Sequence, residues 1–467
     1  FRTDLRLRDS PAALDLDPAV LWPIFTWDPH YISRARRGLN RRQFPLDCQN
    51  DLSQSITRLN AKSKLPVLRE ALQTLLPKLF RAWNVTHLVF EKDTDSYARA
   101  RDEAVVAAAK KAGVEVHHGK PTMSMSQLQV VGRKVGDIPR PIPAPDHLPD
   151  PGEMPVDFEQ HLPDTEPDFN PEPRTEKDTG YSEIAGPTGD FAIETMRELG
   201  LASATTPHRG GESVALRRLD DIIKNEKYTA TFQKPKTNPA QFEPQRRLVA
   251  ANEPHGPAAL PRHELCRPGS FGSRDAHTGL ATGEYHVDSH EAETWFKQWK
   301  AGVTGSPWID ALMRQLREEG WTHHLGRHSV ACFFTRGGCY VDWERGADVF
   351  EEYLLDHEPA CNAGNWQWLS CTAFFAQYYR CYSPVSFGQK WDKQGVFIRH
   401  WVPELRDLDA TYIYEPWKAP IQDQRKAGVR ATGLGLGCRR RAAKRGRRRI
   451  RSPSSTSRGG VTRVWRR

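Results

Sequence analysis

"VTHLVFEKDTDSYARARDEAVVAAAKKAGVEVHHG", residues 85–119, reads as a strand, a helix and a second strand. Residues 85–93 open with β-branched and apolar side chains and run into charges. Residues 96–113 are Ala-rich at helical spacing and stop at Gly113, and "VEVHHG" is extended again. Two strands joined by a helix of this length make a parallel crossover. Upstream, "AVLWPIFTW" (19–27) is a buried-strand run, and "LPVLREALQTLLPKLFRAW" (65–83) places apolar residues at helical spacing. Residues 1–135 are therefore expected to form an α/β domain on a parallel, Rossmann-like sheet. Such sheets bind ligands beyond the carboxyl ends of their strands. That makes the "EKDTD" turn a candidate rim, the alternative being a solvated loop.

Residues 136–208, with "PRPIPAPDHLPDPGEMPVD", are rich in Pro and Asp and read as a linker that builds no core. Helical signals begin at 209 with "RGGESVALRRLDDIIKN" and are almost continuous over 295–385, so 209–430 is expected to be an all-α domain. Thirteen of the 67 basic residues fall in 431–467, which holds no acid, leaving 54 basic against 58 acidic residues before it, a net of −4. Overall basicity is thus no argument for nucleic-acid binding by the body. The 431–467 tail is low in complexity and expected to be disordered. The eight cysteines form no CxxC pair, which fits a reducing interior, nucleus or cytoplasm, rather than a secreted disulfide framework. No apolar run reaches the roughly 18 residues of a membrane span, so no membrane partner is expected. The opening "FRTDLRLRDSPAAL" lacks an initiator Met and reads as a truncated start.

"GWTHHLGRHSVACFF" (320–334) carries His323, His324 and His328. Positions four apart share a helical face, so His324 and His328 point the same way. Three roles suit two neighbouring imidazoles: a metal, a proton-transfer pair, or packing. Leu325 follows His324 where the HExxH motif has Glu, so no metal ligands are assigned. Before it, "SPWIDALMRQLREEGW" has Ser306 as a candidate N-cap and Pro307 in the first turn. After it, "LLDHEPACNAGNWQWLSC" gathers Asp356, Glu358, Asn362, Trp366 and Trp368 in an apolar helical setting. Asp356 is positioned to pair with Arg327. A polar planar ligand and an interdomain salt bridge among core aromatics both explain that composition.

The segments "FRTDLRLRDSPAAL", "FEKDTDSYARARD", "GGESVALRRL", "TGSPWIDALMRQLREEGW", "NAGNWQWLSCTAFF" and "YIYEPWKAP" resemble the photolyase and cryptochrome family, and "THHLGRH" resembles its (6-4) photolyase and animal-like cryptochrome branch. The resemblance implies a light-driven lyase that repairs UV-damaged DNA, or a blue-light photoreceptor that signals through protein partners, as a monomer. It implies an α/β antenna domain, with a deazaflavin or folate chromophore, and a helical domain holding FAD. Carried over residue by residue, Trp321, Arg327, Asp356, Glu358, Asn362 and Trp366 are expected at FAD. Trp366, Trp343 and Tyr340 are expected to pass electrons, His324 and His328 to be catalytic, and His324 with Trp368 to meet the lesion. The lesion has to leave the duplex to be reached. Imidazole, with a reference pKa near ~6.5, suits proton delivery to it.

Residues 245–279, "QRRLVAANEPHGPAALPRHELCRPGSFGSRDAHTG", depart from the family, which has a phosphate-binding loop and helix there. That stretch and the basic tail read as a faulty gene model, the rival for the tail being a natural basic extension. A third expectation follows, an inactive chain lacking half of its FAD pocket and retaining little FAD.

Overall fold

The computed structural model describes residues 1, 5–8, 18–28, 30, 38–68, 71–91, 96–119, 143–152, 196–197, 201–225, 239–240, 290–372, 381–432 and 435–438. The "EKDTD" turn beyond Glu91, the departing segment 245–279 and the tail from 439 lie outside the described residues. The chain divides into two compact units. The first takes in Phe1–Ala204 and His208–Glu226, and the second Lys227–Leu260 and Glu264–Arg467 with Thr205–Pro207.

In the first unit, strand β1 (Phe25–Thr26) pairs in parallel with β2 (Val67–Leu68). Strand β3 (His87–Glu91) pairs in parallel with β4 (Glu115–Gly119). Helices α1 (Leu39–Leu59), α2 (Leu72–Ala82) and α3 (Ser96–Lys111) accompany them. The expected α/β layer is thus present, in shorter strands than the sequence suggests. Pro23 sits inside the 19–27 run and offers no N–H to a ladder. The helical spacing read over 65–83 begins only at Leu72, because Pro66 directs its neighbours into extended backbone. That backbone is used: Phe25 N–H donates to Pro66 O at 3.0 Å and Trp27 N–H to Leu68 O at 2.8 Å. Leu75, Leu76, Leu79 and Phe80 of α2 bury one stripe against Val105, Ala109 and Val114. Gly113 turns α3 into β4 at φ +76°, a conformation that favours glycine.

Helix α4 (Glu212–Ile223) packs in the first unit, although the sequence reading opened the second domain at 209. The Glu212 carboxylate accepts Leu7 N–H at 2.9 Å and Arg8 N–H at 3.2 Å, and Ser213 N–H donates to Asp51 of α1 at 2.9 Å. Two glycines permit the approach. A Cβ at Gly210 would stand 2.3 Å from Phe44 O, and Gly211 holds φ +118°. The stretch read as a coreless linker contributes as well, with Leu148 and Met196 buried in the cluster of Phe25, Leu46 and Ile56.

The second unit is helical: α5 (His290–Ala301), α6 (Pro307–Glu319), α7 (His324–Phe334), α8 (Trp343–Tyr353) and α9 (Pro359–Ser370), followed by shorter turns. Trp299, Trp308, Trp321 and Trp366 are among the largest fully buried side chains. Each indole hides roughly 150–250 Å² of surface, so these rings dominate the packing. Ser306 occupies the N-cap of α6 but makes no side-chain capping bond. Asp310 takes the preceding turn instead, accepting Thr304 N–H at 2.7 Å, the Thr304 hydroxyl at 2.6 Å and Gly305 N–H at 2.9 Å. Strands β5 (Val429–Thr432) and β6 (Gly435–Cys438) pair antiparallel, so the start of the tail expected to be disordered is a hairpin. No helix among the described residues is long and apolar enough to cross a membrane.

Arg101 offers a direct test of the first unit. Its side chain is fully buried, with Nη1 3.2 Å from Asp28 and Nη2 3.0 Å from Asp102. Tyr97 donates to the same Asp28 at 2.9 Å. Arg101→Met leaves two carboxylates without their cation and should cost ~3–5 kcal/mol. Arg101→Lys should recover only part, because an ammonium cannot fork to both acids. Urea unfolding followed by far-UV circular dichroism reads both, and an unaltered midpoint in Arg101→Met would remove this cluster as the unit's anchor.

Candidate functional site

The site is built on the ends of α7, α8 and α9. Gly320 ends α6 at φ +70°, and the chain turns through Trp321, Thr322 and His323 into α7. His323 is the N-cap, its Nδ1 accepting Leu325 N–H at 3.1 Å. The first histidine of the doublet is therefore used in starting the helix, which frees His324 and His328 to share a face. Their rings meet edge-on with centroids 4.2 Å apart. Trp368 of α9 closes on His328 at 5.2 Å, and the Tyr382 hydroxyl lies 3.2 Å from His328 Nδ1.

One turn into α7, Arg327 reaches out of the same helix. Its Nη2 is 2.8 Å from Asp356 Oδ2, and its Nε donates to Thr322 O at 3.0 Å. The pair is half-buried, with side chains 17% and 27% exposed. Glu358 caps α9, accepting Cys361 N–H at 2.6 Å. Asn362, one turn on, donates from Nδ2 to Ala347 O of α8 at 3.0 Å. Trp366 follows on α9, its ring so close to Gly346 that a Cβ there would stand 2.2 Å from Cη2. Phe350 at 5.0 Å and Trp299 at 6.0 Å complete its surroundings. Trp343 opens α8, buried in the same core, and Tyr340 precedes it at φ +55°.

The electrostatics alter one premise of the sequence reading. The His324 imidazole is lowered to about 4, by burial first and by the Arg327 guanidinium second, with Asp356 opposing. Burial, followed by the neighbouring His324, pushes His328 well below its ordinary value. Both rings are neutral at neutral pH, whereas the reference pKa had suggested a pair poised near neutrality.

A bound FAD is compatible with the donor set. Trp299 and Trp308 satisfy their indole N–H groups on Val330 O and Ser329 Oγ of α7, each at 3.1 Å. Trp366 Nε1 and His328 Nε2 are buried and make no hydrogen bond. Leaving such a group unsatisfied costs ~1–3 kcal/mol, so a ligand with matching polar edges gains there. Within the second unit Arg327 meets Asp356, and His324 meets His328 beside Trp368 and Tyr382, while Trp321 lies in the turn before α7 and Glu358, Asn362 and Trp366 follow one another along α9. Sequence reasoning missed Tyr382, which lies 54 residues beyond His328 without a motif of its own.

Residues 1–138 match the DNA photolyase family, and residues 263–434 match the FAD binding domain of DNA photolyase. The second match starts inside 245–279, so the part of that segment from 263 on is not foreign to the family as the sequence reading had it. A "(6-4)DNA photolyase" of Oryza sativa subsp. japonica is 35% identical over 486 residues, covering 91% of this chain and 84% of the relative. "Cryptochrome-1" of Rattus norvegicus is 33% identical over 491 residues, covering 91% and 76%. Among solved structures, a Synechocystis sp. PCC6803 cryptochrome aligns with a TM-score of 0.66 at 19% identity, over 92% of this chain and 93% of that one. A class III photolyase from Agrobacterium tumefaciens aligns at 0.62 and 23%, over 92% and 91%. At these identities the two structures show a shared fold.

The depressed histidine has a thermodynamic consequence. His324 stays neutral in the folded chain down to about 4, while in the unfolded chain it takes a proton near ~6.5. Between those values the unfolded state binds more protons, so stability falls as pH drops through the window and levels off below it. His324→Asn should therefore lose less stability than the parent between pH ~6.5 and ~4. Urea midpoints across that range decide it, and equal losses would show that His324 does not titrate as described.

Proposed function

This chain belongs to the DNA photolyase and cryptochrome family, and from that premise we propose that it is a light-driven (6-4) photolyase. The observation that carries this reading is the neutral His324–His328 pair, rings 4.2 Å apart, standing beside the Arg327–Asp356 bridge. FAD is the cofactor of the helical unit, and when bound it supplies the light-driven electron. Arg327 and Asp356 would hold it from one side, with Trp321, Glu358, Asn362 and Trp366 around it. The Arg–Asp pair presents a planar fork and a carboxylate, a donor–acceptor edge suited to a flat heterocycle. A buried Trp366, backed by Trp299, is an oxidisable ring at the inner end of a path that Trp343 and Tyr340 would extend.

The protein's own contribution to repair is the proton. At pH 7 a ring held at about 4 is charged in about one molecule in a thousand. A neutral imidazole donates from its single N–H and is refilled through its other nitrogen. His328 Nδ1 has the Tyr382 hydroxyl at 3.2 Å, which would fix the tautomer of that ring and leave its Nε2, unbonded within the protein, for an extruded lesion, with the His324 ring edge-on beside it. Trp368 beside His328 offers a flat apolar wall for an extruded base. The antenna chromophore, deazaflavin or folate, is assigned to the first unit on the family premise alone. A second reading, blue-light signalling through a protein partner, is favoured by the 33% identity to a cryptochrome over 91% of this chain.

The deciding experiment is blue-light repair of an oligonucleotide with a single (6-4) photoproduct, by the purified flavin-loaded chain. The parent should restore intact pyrimidines, read by chromatography. His324→Asn should lose repair while keeping DNA affinity, because phosphate contacts carry most of the binding. A parent that photoreduces normally yet leaves the lesion untouched is a photoreceptor. Trp366→Phe should abolish photoreduction of the oxidised cofactor, followed by absorption under steady blue light, and normal photoreduction would route electrons elsewhere.

A further inference from the structure

His87, Glu115 and His117 lie far from the helical site in sequence, and the photolyase reading leaves them without a role. They sit on the parallel pair β3–β4, where His87 is in register with Glu115 and His117 follows two residues on. Alternation sends Leu88, Phe90 and Val116 into the core with Leu75, Leu79 and Val105. The opposite face then presents His87, Glu115 and His117 together. Parallel strands in α/β domains are ordinarily apolar on both faces, so two imidazoles and a carboxylate in one row are not explained by packing.

Their atoms converge. His117 Nε2 is 3.1 Å from Glu115 Oε1, and His87 Nε2 is 3.6 Å from Glu115 Oε2. One ligand atom from each of the three residues falls within 4.8 Å of the others. The two rings lie side by side at 5.5 Å, 27° from parallel. His117 Nε2 is shielded from solvent and, despite its closeness to Glu115, makes no hydrogen bond of acceptable geometry. His87 Nδ1 lies 2.9 Å from the Thr86 hydroxyl. A hydroxyl that accepts from Nδ1–H leaves the Nε2 lone pair directed at the site, the way metal-bound histidines are held by their outer neighbours. Zinc bound by N and O at ~2.0–2.1 Å in a tetrahedron separates its ligand atoms by ~3.3 Å. The two His–Glu separations, 3.1 and 3.6 Å, straddle that edge.

We propose that His87, Glu115 and His117 form a three-ligand site for a borderline divalent transition-metal ion, Zn²⁺ foremost, with solvent in the fourth position. Two imidazoles and one carboxylate are the donor set such ions prefer over Mg²⁺ or Ca²⁺, which take oxygen ligands. The ion would add a bridge between two strands already paired through their backbones, and it stabilises the first unit in proportion to its occupancy. The side chains are 46%, 66% and 38% exposed, so the site is open to exchange with solvent.

Co²⁺ titration of the full chain tests the proposal, since tetrahedral cobalt absorbs in the visible. The parent should develop this band, and Zn²⁺ should displace it. His87→Ala and His117→Ala should each weaken binding at least ~10-fold through loss of one of three ligands, and the double variant should show no band. In parallel, Zn²⁺ should raise the urea midpoint of the parent and leave that of the double variant unchanged, while the metal-free midpoints agree. No band in the parent, or an equal band in a folded double variant, overturns the site.

Discussion

Trp366 seated on Gly346 sets the spacing on which the helical unit depends. An added Cβ at Gly346 would come within 2.2 Å of the indole, so α8 and α9 meet at the closest distance the ring allows. That approach lets Asn362 reach Ala347 O. It also sets Phe350 and Trp299 edge-on against the ring. Leu355, in the turn leaving α8, donates to Gly320 O at 2.9 Å, which ties Asp356 to the start of the α7 turn. The Arg327–Asp356 bridge and the histidine face follow from this packing. A polar constellation is held rigid because apolar contacts behind it leave no slack.

Several polar groups of the helical unit are taken up by its local structure. His323 and Glu358 start helices, Thr322 steadies Arg327, and Asp310 closes the turn before α6. His324, His328 and Trp366 are different. His328 and Trp366 are buried and His324 is half-buried, and the ring nitrogens of His328 and Trp366 are left with unmet hydrogen-bonding capacity. Burial neutralises the imidazoles, and Arg327 reinforces the effect. A residue type whose ordinary pKa lies near neutrality is therefore held neutral here, with His328 positioned against the Tyr382 hydroxyl.

The two units distribute charge in opposite ways. In the helical unit His328 and Trp366 are drawn inside, where low polarity makes each contact matter, and the Arg327–Asp356 pair is half-buried. In the α/β unit the buried charges of Arg101, Asp28 and Asp102 compensate one another and serve stability. The imidazoles and carboxylate of β3 and β4 instead face outward, where an ion from solution can reach them.

Much of this was legible in the residues alone. The strand–helix–strand of 85–119, the helical period of 295–370 and the shared face of His324 and His328 are local properties, set by 3.6- and 2-residue repeats. The pairing of Arg327 with Asp356 was legible as complementary charge within one motif-dense stretch. Tertiary structure alone decided the rest. Helix α4 joins the first unit because Gly210 and Gly211 let it approach α1, and a glycine pair does not announce which neighbour it admits. Tyr382 reaches His328 across 54 residues. His87 meets Glu115 and His117 only once the α3 crossover has set the parallel register, and a one-residue slip would turn them to opposite faces. Periodicity is written in neighbouring residues, whereas convergence depends on how whole elements pack, and that is determined by shape rather than by spacing along the chain.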